Sequence, residues 1–237
     1  MARPKLRKRS NSSIATARAP RASGRKRRGI GRPAAGAQTV GREALITRTC
    51  EMLTRLPPNK ITRAEVARHM NVDPSLIRYY FRDRSALLVA AAERLIDTFL
   101  QLLEQELANS DMSPAGRLRA RVSALLKLNI TYPFFHRLVM DELAKVESRP
   151  AVRFMEELTQ KGLTGYGAII DAGVKDGTLR RVNSAFLFLA AIGLTEFFVN
   201  GMPVLRMAMG KDFDERLIAA RYREFICELL LSGLKAN

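Results

Sequence analysis

Two short helices joined by a turn of about three residues constrain the fold more than any other part of this sequence. Thr62 followed by Arg63-Ala64-Glu65 is the pattern of a capping box, and it predicts a helix that ends at Asn71. Asn71 tolerates the left-handed conformation of a tight turn. Asp73 then caps the next helix, with Pro74 in its first turn. The segment therefore predicts a helix-turn-helix.

The second of these helices has a polar outer face. Helical spacing places Ile77 and Phe81 on its buried side. The same spacing leaves four hydrogen-bonding residues outside: Ser75, Arg78, Tyr79 and Arg82. Such a helix fits the major groove of DNA, where its N-terminal side chains reach the base edges. The helix-turn-helix therefore predicts sequence-specific binding to double-stranded DNA.

The rest of the sequence also has a helical pattern. A first helix begins at Arg42 and ends before Pro57, and a long fourth helix runs from near Asp83 to Asn109. Further helices are predicted at roughly 114–130, 133–146, 150–176, 183–208 and 212–235. No segment alternates as a strand would, and no internal repeat is present. With 47% hydrophobic residues to build a core, we expect an all-α fold.

Three regions follow from this pattern. Residues 1–40 contain few large apolar side chains and are predicted to be a disordered basic arm. Residues 41–88 are predicted to form a three-helix DNA-binding domain that contains the helix-turn-helix. Residues 89–237 are predicted to form a C-terminal helical domain. The long fourth helix crosses the boundary and joins the two domains.

The net charge of +17 is concentrated at the N-terminus. Residues 1–42 hold 13 Lys and Arg and no acidic residue, so the remaining chain has 27 basic and 23 acidic residues. Such an arm is attracted to a polyanion such as DNA, RNA or an anionic membrane surface. The arm has no apolar face for membrane anchoring, so a nucleic acid is the expected partner.

Several other classes of protein are disfavoured. Cys50 and Cys227 are too few for a disulfide framework, and we expect both to be buried thiols in a reducing compartment. The scattered His and Cys residues form no metal site and no nucleophile–base pair, and no phosphate-binding glycine loop is present. The longest apolar run, Phe186 to Thr195, is too short to span a bilayer. We therefore expect a cytoplasmic, nucleoid-associated protein that is not an enzyme and has no cofactor or metal.

Between Ile61 and Leu88 the sequence resembles the TetR (tetracycline-repressor) family of bacterial regulators. The positions that carry the resemblance are Thr62, Glu65-Val66-Ala67, Val72, the run Leu76-Ile77-Arg78-Tyr79-Tyr80-Phe81, Arg84 and Leu87-Leu88. Gly31-Arg32-Pro33, ahead of the first helix, also recurs in many members. The sequence departs from the family where Asn71 replaces the turn Gly and Arg84 the usual Lys. The resemblance implies a repressor that binds a palindromic operator as a homodimer and is released by a small apolar effector.

The resemblance also implies roles in DNA binding. Arg78 is the candidate for base reading because a guanidinium binds guanine O6 and N7 together, and a phosphate contact is the alternative. Tyr80 is expected mainly to pack, and Arg32 is expected to enter the adjacent minor groove unless the arm is only a solvated tail. The full predicted set is Arg32, Thr62, Arg63, Ser75, Leu76, Arg78, Tyr79, Tyr80 and Arg84, of which Thr62, Arg63, Tyr79 and Arg84 are expected at phosphates.

Residues 89–237 loosely resemble the ligand-binding and dimerisation domain of the same family, which implies that role for the C-terminal half. The last two helices are apolar on more than one face, which indicates burial on both sides and, by resemblance, a four-helix dimer interface. Aromatic and polar residues of the middle helices are predicted to line an effector pocket. They are Tyr132, Phe135, His136, Phe154, Tyr166, Glu196 and Phe197. Ordinary core packing is the alternative for each aromatic residue, and a solvated or capping role is the alternative for His136.

A nonspecific protein that coats nucleic acids is the main competing interpretation. It explains the basic arm but does not need the capped helix-turn-helix. Competition binding separates the two, because a coating protein is displaced equally by any DNA while a regulator retains a preferred site.

Overall fold

The computed structural model describes residues 40–109 and 111–236. This part of the chain is all-α, as the sequence predicts. Its helices are α1 (Arg42–Leu53), α2 (Arg63–Met70), α3 (Pro74–Tyr80), α4 (Arg84–Ala108), α5 (Pro114–Thr131), α6 (Phe135–Arg137), α7 (Arg149–Lys175), α8 (Ser184–Asn200), α9 (Met202–Met209) and α10 (Glu215–Leu234). Within these residues the β structure is limited to one isolated bridge, between Leu179 and Lys235.

The caps of the helix-turn-helix follow the local sequence. The Thr62 Oγ1 accepts a hydrogen bond from the Glu65 N–H at 3.1 Å, and the Asp73 carboxylate accepts one from the Ser75 N–H at 2.7 Å. Asn71 has φ 52°, the left-handed conformation predicted for the turn. The capping box, however, is only half formed. The Glu65 carboxylate pairs with the Arg68 guanidinium on the helix surface, because a full cation is a stronger partner than a backbone N–H.

The core of the helix-turn-helix region is continuous with that of the C-terminal region. Leu45 of α1, Ile77 of α3 and Leu88 of α4 are fully buried in one apolar cluster. The same cluster continues to Leu128 of α5 and Phe154 of α7. The predicted boundary after residue 88 therefore lies inside α4, and side-chain packing crosses it.

Helices α5, α7, α8 and α10 surround a second apolar cluster. Its buried members include Val122, Tyr166, Ile170, Leu187 and Ile226. In the part of the chain that the structure describes, no single helix is long and apolar enough to cross a membrane. The pair α8 and α9 meets that test of length and composition only together, and it bends by 59° at its break.

This break corrects the prediction of one helix over 183–208. Pro203 lies at the start of α9, where it has no N–H to continue the ladder of α8 and its ring restricts the preceding residue. The chain therefore turns at Gly201, whose N–H still bonds to the Phe197 carbonyl oxygen at 2.7 Å.

The helix predicted over 133–146 is also interrupted. The short α6 continues as a π-helix over Leu138–Leu143. π-Helical turns are rare and are frequent at functional sites. This π-helix places Glu142 against the start of α4, where it meets Arg84.

Candidate DNA-binding surface and ligand cavity

The outward face of α3 is open to solvent. Ser75 and Arg78 are exposed, and 81% of Tyr79 is accessible, whereas Ile77 is fully buried. No hydrogen bond or ion pair engages the Arg78 side chain among the residues that the structure describes. Hydrogen bonds from Ser75 hold the pKa of the Asp73 carboxyl below its ordinary value, so this cap stays ionised. The face predicted to lie outside is therefore available to a partner.

The aromatic residues of α3 differ in burial. The Tyr79 and Tyr80 rings meet edge to face, with centroids 5.0 Å apart. Tyr80 is half-buried and packs against the main apolar cluster, to which the buried Ile77 of the same helix belongs. Leu76 is half-buried, and Thr62 is exposed beside the start of α2. Arg32 lies outside the described residues, so its predicted minor-groove role is a sequence-based expectation only.

Two of the predicted phosphate-binding arginines have partners inside the protein. The Arg63 guanidinium donates to the carbonyl oxygen of Arg82 at 2.8 Å. Arg84 donates to the carbonyl oxygens of Ile61 at 2.8 Å and Pro58 at 2.6 Å. These bonds fix the segment before α2 to the end of α3 and the start of α4.

Arg84 also joins the two halves of the chain. Its third bond goes from Nη1 to the Glu142 Oε2 at 2.6 Å, and the exposed fractions of the two side chains are 33% and 19%. A partly desolvated pair of this kind interacts more strongly than one in open water. The DNA-binding region is thus connected by an ion pair to the π-helix of the C-terminal region.

A cavity of about 670 Å³ lies among α4, α5, α7 and α8. Such a volume is within the range of small-molecule sites. Apolar side chains form most of the lining, including Phe99, Leu125, Phe135, Phe188 and Ile192. Few polar groups reach it, so the arrangement suits an apolar molecule with a small number of polar contacts.

Arg121 of α5 contributes a positive charge to this lining. Its guanidinium lies 5.0 Å from the centroid of the Tyr166 ring and 6.0 Å from that of Phe99. Burial lowers the pKa of the Arg121 guanidinium. Across residues 40–109 and 111–236, no carboxylate lies within ion-pair distance of it.

A second polar group of the cavity is formed by α6 and α8. The His136 Nδ1 is 3.8 Å from the Glu196 carboxylate, which also accepts a 2.7 Å hydrogen bond from the Asn200 amide. Close by, the buried Asn129 amide donates to the Thr195 Oγ1 at 3.2 Å. Glu196 therefore has partners within the chain.

The structure brings four of the seven predicted ligand residues into the lining: Phe135, His136, Tyr166 and Glu196. Tyr132 and Phe154 pack in the main apolar cluster, and Phe197 is 70% exposed on the outer side of α8. The sequence analysis did not single out Arg121. Helical spacing puts Arg121 on the same apolar stripe of α5 as Leu125 and Leu128. A charged residue in an apolar stripe is the sequence signal that could have indicated its place in the cavity.

An apolar surface covers the outer sides of α8 and α10. Phe186 and Phe197 of α8 are 72% and 70% exposed, and Phe225 and Leu229 of α10 are 60% and 51% exposed. Large apolar patches on a monomer's surface mark sites of association. The sequence predicts that the last two helices are buried on both sides. In the structure, α8 and α10 pack against the protein on one side and expose an apolar face on the other.

Among the residues that the structure describes, no three His, Cys, Asp or Glu side chains are placed to share a metal ion. Cys50 and Cys227 are free and buried, as predicted. Burial raises the pKa of the Cys50 thiol to about 12 and that of the Cys227 thiol to about 11. Neither thiol is activated for nucleophilic attack.

A family model named tetracyclin repressor-like, C-terminal domain, matches residues 111–237, which is just over half of the chain. The chain belongs to the TetR family. The helix-turn-helix that carries the resemblance and the C-terminal half that carries the family match are therefore two parts of one TetR-family protein.

Individual relatives agree with this assignment. The HTH-type transcriptional regulator BetI of Serratia proteamaculans is 35% identical over 92 residues, which are 38% of this chain and 46% of BetI. This chain thus spans about half the length of the curated relatives it matches.

Two solved structures share the fold. A tetR-family regulatory protein of Rhodococcus RHA1 has a TM-score of 0.62 at 18% identity, over 81% of this chain and 96% of its own. AibR, in complex with isovaleryl coenzyme A and operator DNA, has a TM-score of 0.61 at 14% identity, over 80% of this chain and 97% of its own. At these identities the likeness is one of fold.

Proposed function

We propose that this TetR-family protein is a transcription regulator that binds a palindromic operator and represses transcription until an effector releases it. The observation that carries the proposal is the α3 face, on which Ser75, Arg78 and Tyr79 are exposed. They are held on a capped helix-turn-helix in a chain of this family. Such binding would place the protein at the nucleoid, in the cytoplasm.

In the proposed complex, the N-terminal part of α3 lies in the major groove. Arg78 binds a guanine through O6 and N7, and Ser75 bonds to a neighbouring base edge. Thr62 and Tyr79 bond to phosphates beside the groove. Arg63 and Arg84 already donate hydrogen bonds to carbonyl oxygens inside the protein. Each keeps some of its five N–H groups free to bind a phosphate.

We further propose that the protein acts as a homodimer. A palindromic site requires two recognition helices related by a twofold axis, about 34 Å apart along the DNA. The exposed apolar faces of α8 and α10 support association through these helices. Two copies of this surface would form a four-helix interface and remove Phe186, Phe197 and Phe225 from water.

Release by an effector requires a connection between the cavity and α3. Val139 and Met140 line the cavity, and Glu142 follows them on the same π-helix. Glu142 holds Arg84, and Arg84 holds the backbone just before α2. We propose that a ligand displaces this π-helix and, through Arg84, tilts the helix-turn-helix. The distance between the two recognition helices then no longer matches the operator.

Arg78 gives the direct test of DNA reading. Arg78→Ala is compared with Arg181→Ala, which removes the same charge from an exposed residue after the end of α7. Helix α7 has 27 residues and is about 40 Å long, so Arg181 is far from α3. On an operator obtained by selecting bound sequences from random DNA, we expect Arg78→Ala to weaken the binding free energy by about 1 to 3 kcal/mol. The variant should also relax the preference at one base pair.

Fluorescence anisotropy with operator and scrambled duplexes measures both effects. Arg181→Ala should retain wild-type affinity and preference. Equal losses for the two variants on both duplexes would instead support a protein that coats DNA without reading its sequence, and would overturn the proposal.

A further inference from the structure

One end of the cavity holds a cation without a counter-charge. Arg121 projects from α5 between the rings of Phe99 and Tyr166. It packs so closely on α7 that a Cβ added at Gly165 would overlap the guanidinium. No hydrogen bond or ion pair of Arg121 is found in the described part of the chain. A partly buried cation is costly without a partner, so its position favours an anion that the protein chain itself does not supply.

The Tyr166 ring, over which Arg121 lies, carries a hydrogen-bond donor. The Tyr166 side chain is 2% exposed, and its hydroxyl has no partner among the described residues. Burial raises the pKa of Tyr166 to about 12, so the phenol stays protonated at neutral pH. A buried hydroxyl with no acceptor costs free energy unless a bound molecule supplies one. A guanidinium and a phenol together match the two oxygens of a carboxylate.

The opposite end of the cavity has the opposite charge. Asn129 follows Arg121 by eight residues on α5, and Glu196 follows Phe188 by eight residues on α8. Because Phe188 is near Tyr166 and Asn129 bonds to Thr195, α5 and α8 run in the same direction here. The Arg121 and Glu196 ends are therefore about 12 Å apart along the helices. Glu196 repels an anion from its own end, and the lining between the two ends is mostly apolar.

We propose that this cavity binds an amphipathic monocarboxylate, with its carboxylate on Arg121 and Tyr166 and its apolar body directed towards Glu196. The inference rests on the proposed function in that this molecule would be the effector. It also narrows that function, because a purely apolar molecule would leave Arg121 and the Tyr166 hydroxyl unpaired.

Three probes with the same chain and different head groups test the charge at the Arg121 end. Decanoate, decan-1-ol and decylamine are titrated into the full-length protein by calorimetry, and the extended decyl chain is about as long as the separation of the two ends. We expect decanoate to bind about 10- to 100-fold more tightly than decan-1-ol, as a charge-assisted hydrogen bond implies. Decylamine should bind less tightly than decanoate, because Arg121 repels its ammonium at one end and Glu196, at the other end, already accepts a hydrogen bond from Asn200. Equal binding of decanoate and decan-1-ol, or tighter binding of decylamine, would overturn the proposal.

Arg121→Met removes the cation and should bring decanoate binding down to the level of decan-1-ol. The same variant should raise the Tm of the ligand-free protein, because an unpaired charge leaves a partly apolar site. Tyr166→Phe should weaken decanoate binding by about tenfold or less, the value of one hydrogen bond, and leave decan-1-ol binding unchanged. Unchanged decanoate binding in Arg121→Met would refute the assignment.

A matched pair of glycine variants gives a second test that leaves the charge in place. Gly165→Ala displaces the Arg121 guanidinium, whereas a Cβ at Gly167, on the same helix, meets no neighbouring atom. We expect Gly165→Ala to weaken decanoate binding and Gly167→Ala to leave it unchanged. Equal effects of the two variants would show that the guanidinium position does not matter.

Operator binding is measured separately by anisotropy without ligand. If the protein binds its operator but shows no preference for decanoate, the ligand proposal fails and the proposed function stands. If decanoate binds as expected but no DNA sequence is preferred, the proposed function fails instead.

Discussion

Replacing Glu142 by Gln removes the negative charge that holds Arg84 and leaves the rest of the contact intact. The Arg84 Nη1 to Glu142 Oε2 distance is 2.6 Å, and only 19% of the Glu142 side chain is exposed. In Glu142→Gln the amide oxygen still accepts a hydrogen bond from the charged guanidinium, but the attraction between two opposite charges is lost. A bond to a charged group contributes about 1.5 to 3 kcal/mol and a neutral one about 1 kcal/mol.

From this difference we expect Glu142→Gln to lower the free energy of unfolding by about 0.5 to 2 kcal/mol. Arg84→Met removes all three bonds and leaves the carbonyl oxygens of Pro58 and Ile61 without their donor. Its cost should be about 3 kcal/mol, less than a simple sum because water reaches this partly exposed site. For a chain of this size, each kcal/mol lowers Tm by about 2 to 4 °C.

Thermal unfolding of Glu142→Gln, Arg84→Met and the double variant completes a double-mutant cycle. It is measured at one protein concentration, because the Tm of a dimer depends on concentration. Glu142→Gln should cost almost nothing once Arg84 is Met. Glu147→Gln, at an exposed position a few residues away, is the control and should leave Tm unchanged. Costs that add within about 0.5 kcal/mol would refute a connection between Arg84 and Glu142.

Three more expected outcomes follow from particular residues. Gly177 has φ +76°, so Gly177→Ala should destabilise the protein by about 1 to 2 kcal/mol in denaturant unfolding, whereas Gly167→Ala, inside α7, should not. The Cys50 thiol has a pKa near 12 in the folded state and about 8.5 in an unfolded chain. The stability it contributes is therefore complete below about pH 8.5 and declines as the pH rises towards 12, which pH-dependent unfolding relative to Cys50→Ala would reveal. We expect light scattering to find a dimer for the wild type and a monomer for Phe225→Glu, because the substitution places a charge in the exposed apolar face.

The helix-turn-helix could be predicted in detail because its signals are local. The caps at Thr62 and Asp73 act within three residues, and Asn71 takes the positive φ that its side chain tolerates. The inward positions of Ile77 and Phe81 follow from helical spacing alone, and both are buried.

The cavity was less predictable because it depends on how distant helices converge. Phe135 and Phe154 are both buried in the main apolar cluster, yet only Phe135 also lines the cavity. Arg121 lies on an apolar stripe of α5 with Leu125 and Leu128, but the sequence does not show that α7 packs against this stripe and encloses the guanidinium. Sequence periodicity shows which side of a helix is apolar, but not which helix or cavity that side meets.

Two interruptions of predicted helices were not expected from the sequence, for different reasons. The break at Gly201 has a cause that is visible in the sequence, because Pro203 has no N–H with which to continue the helix. The π-helix at Leu138–Leu143 has no comparable marker, because one extra residue in a turn hardly disturbs an apolar pattern. This second break is the one that brings Glu142 to Arg84.

The central claim is that two copies of α3 read a symmetric DNA site. Selection of bound sequences from a random duplex pool by the full-length protein tests it most directly, at a stated salt concentration. We expect an inverted repeat whose half-sites are about one helical turn, or a multiple of it, apart. Arg78→Ala should lose the preference at one position in each half-site. A consensus without twofold symmetry, or no consensus, would contradict the account.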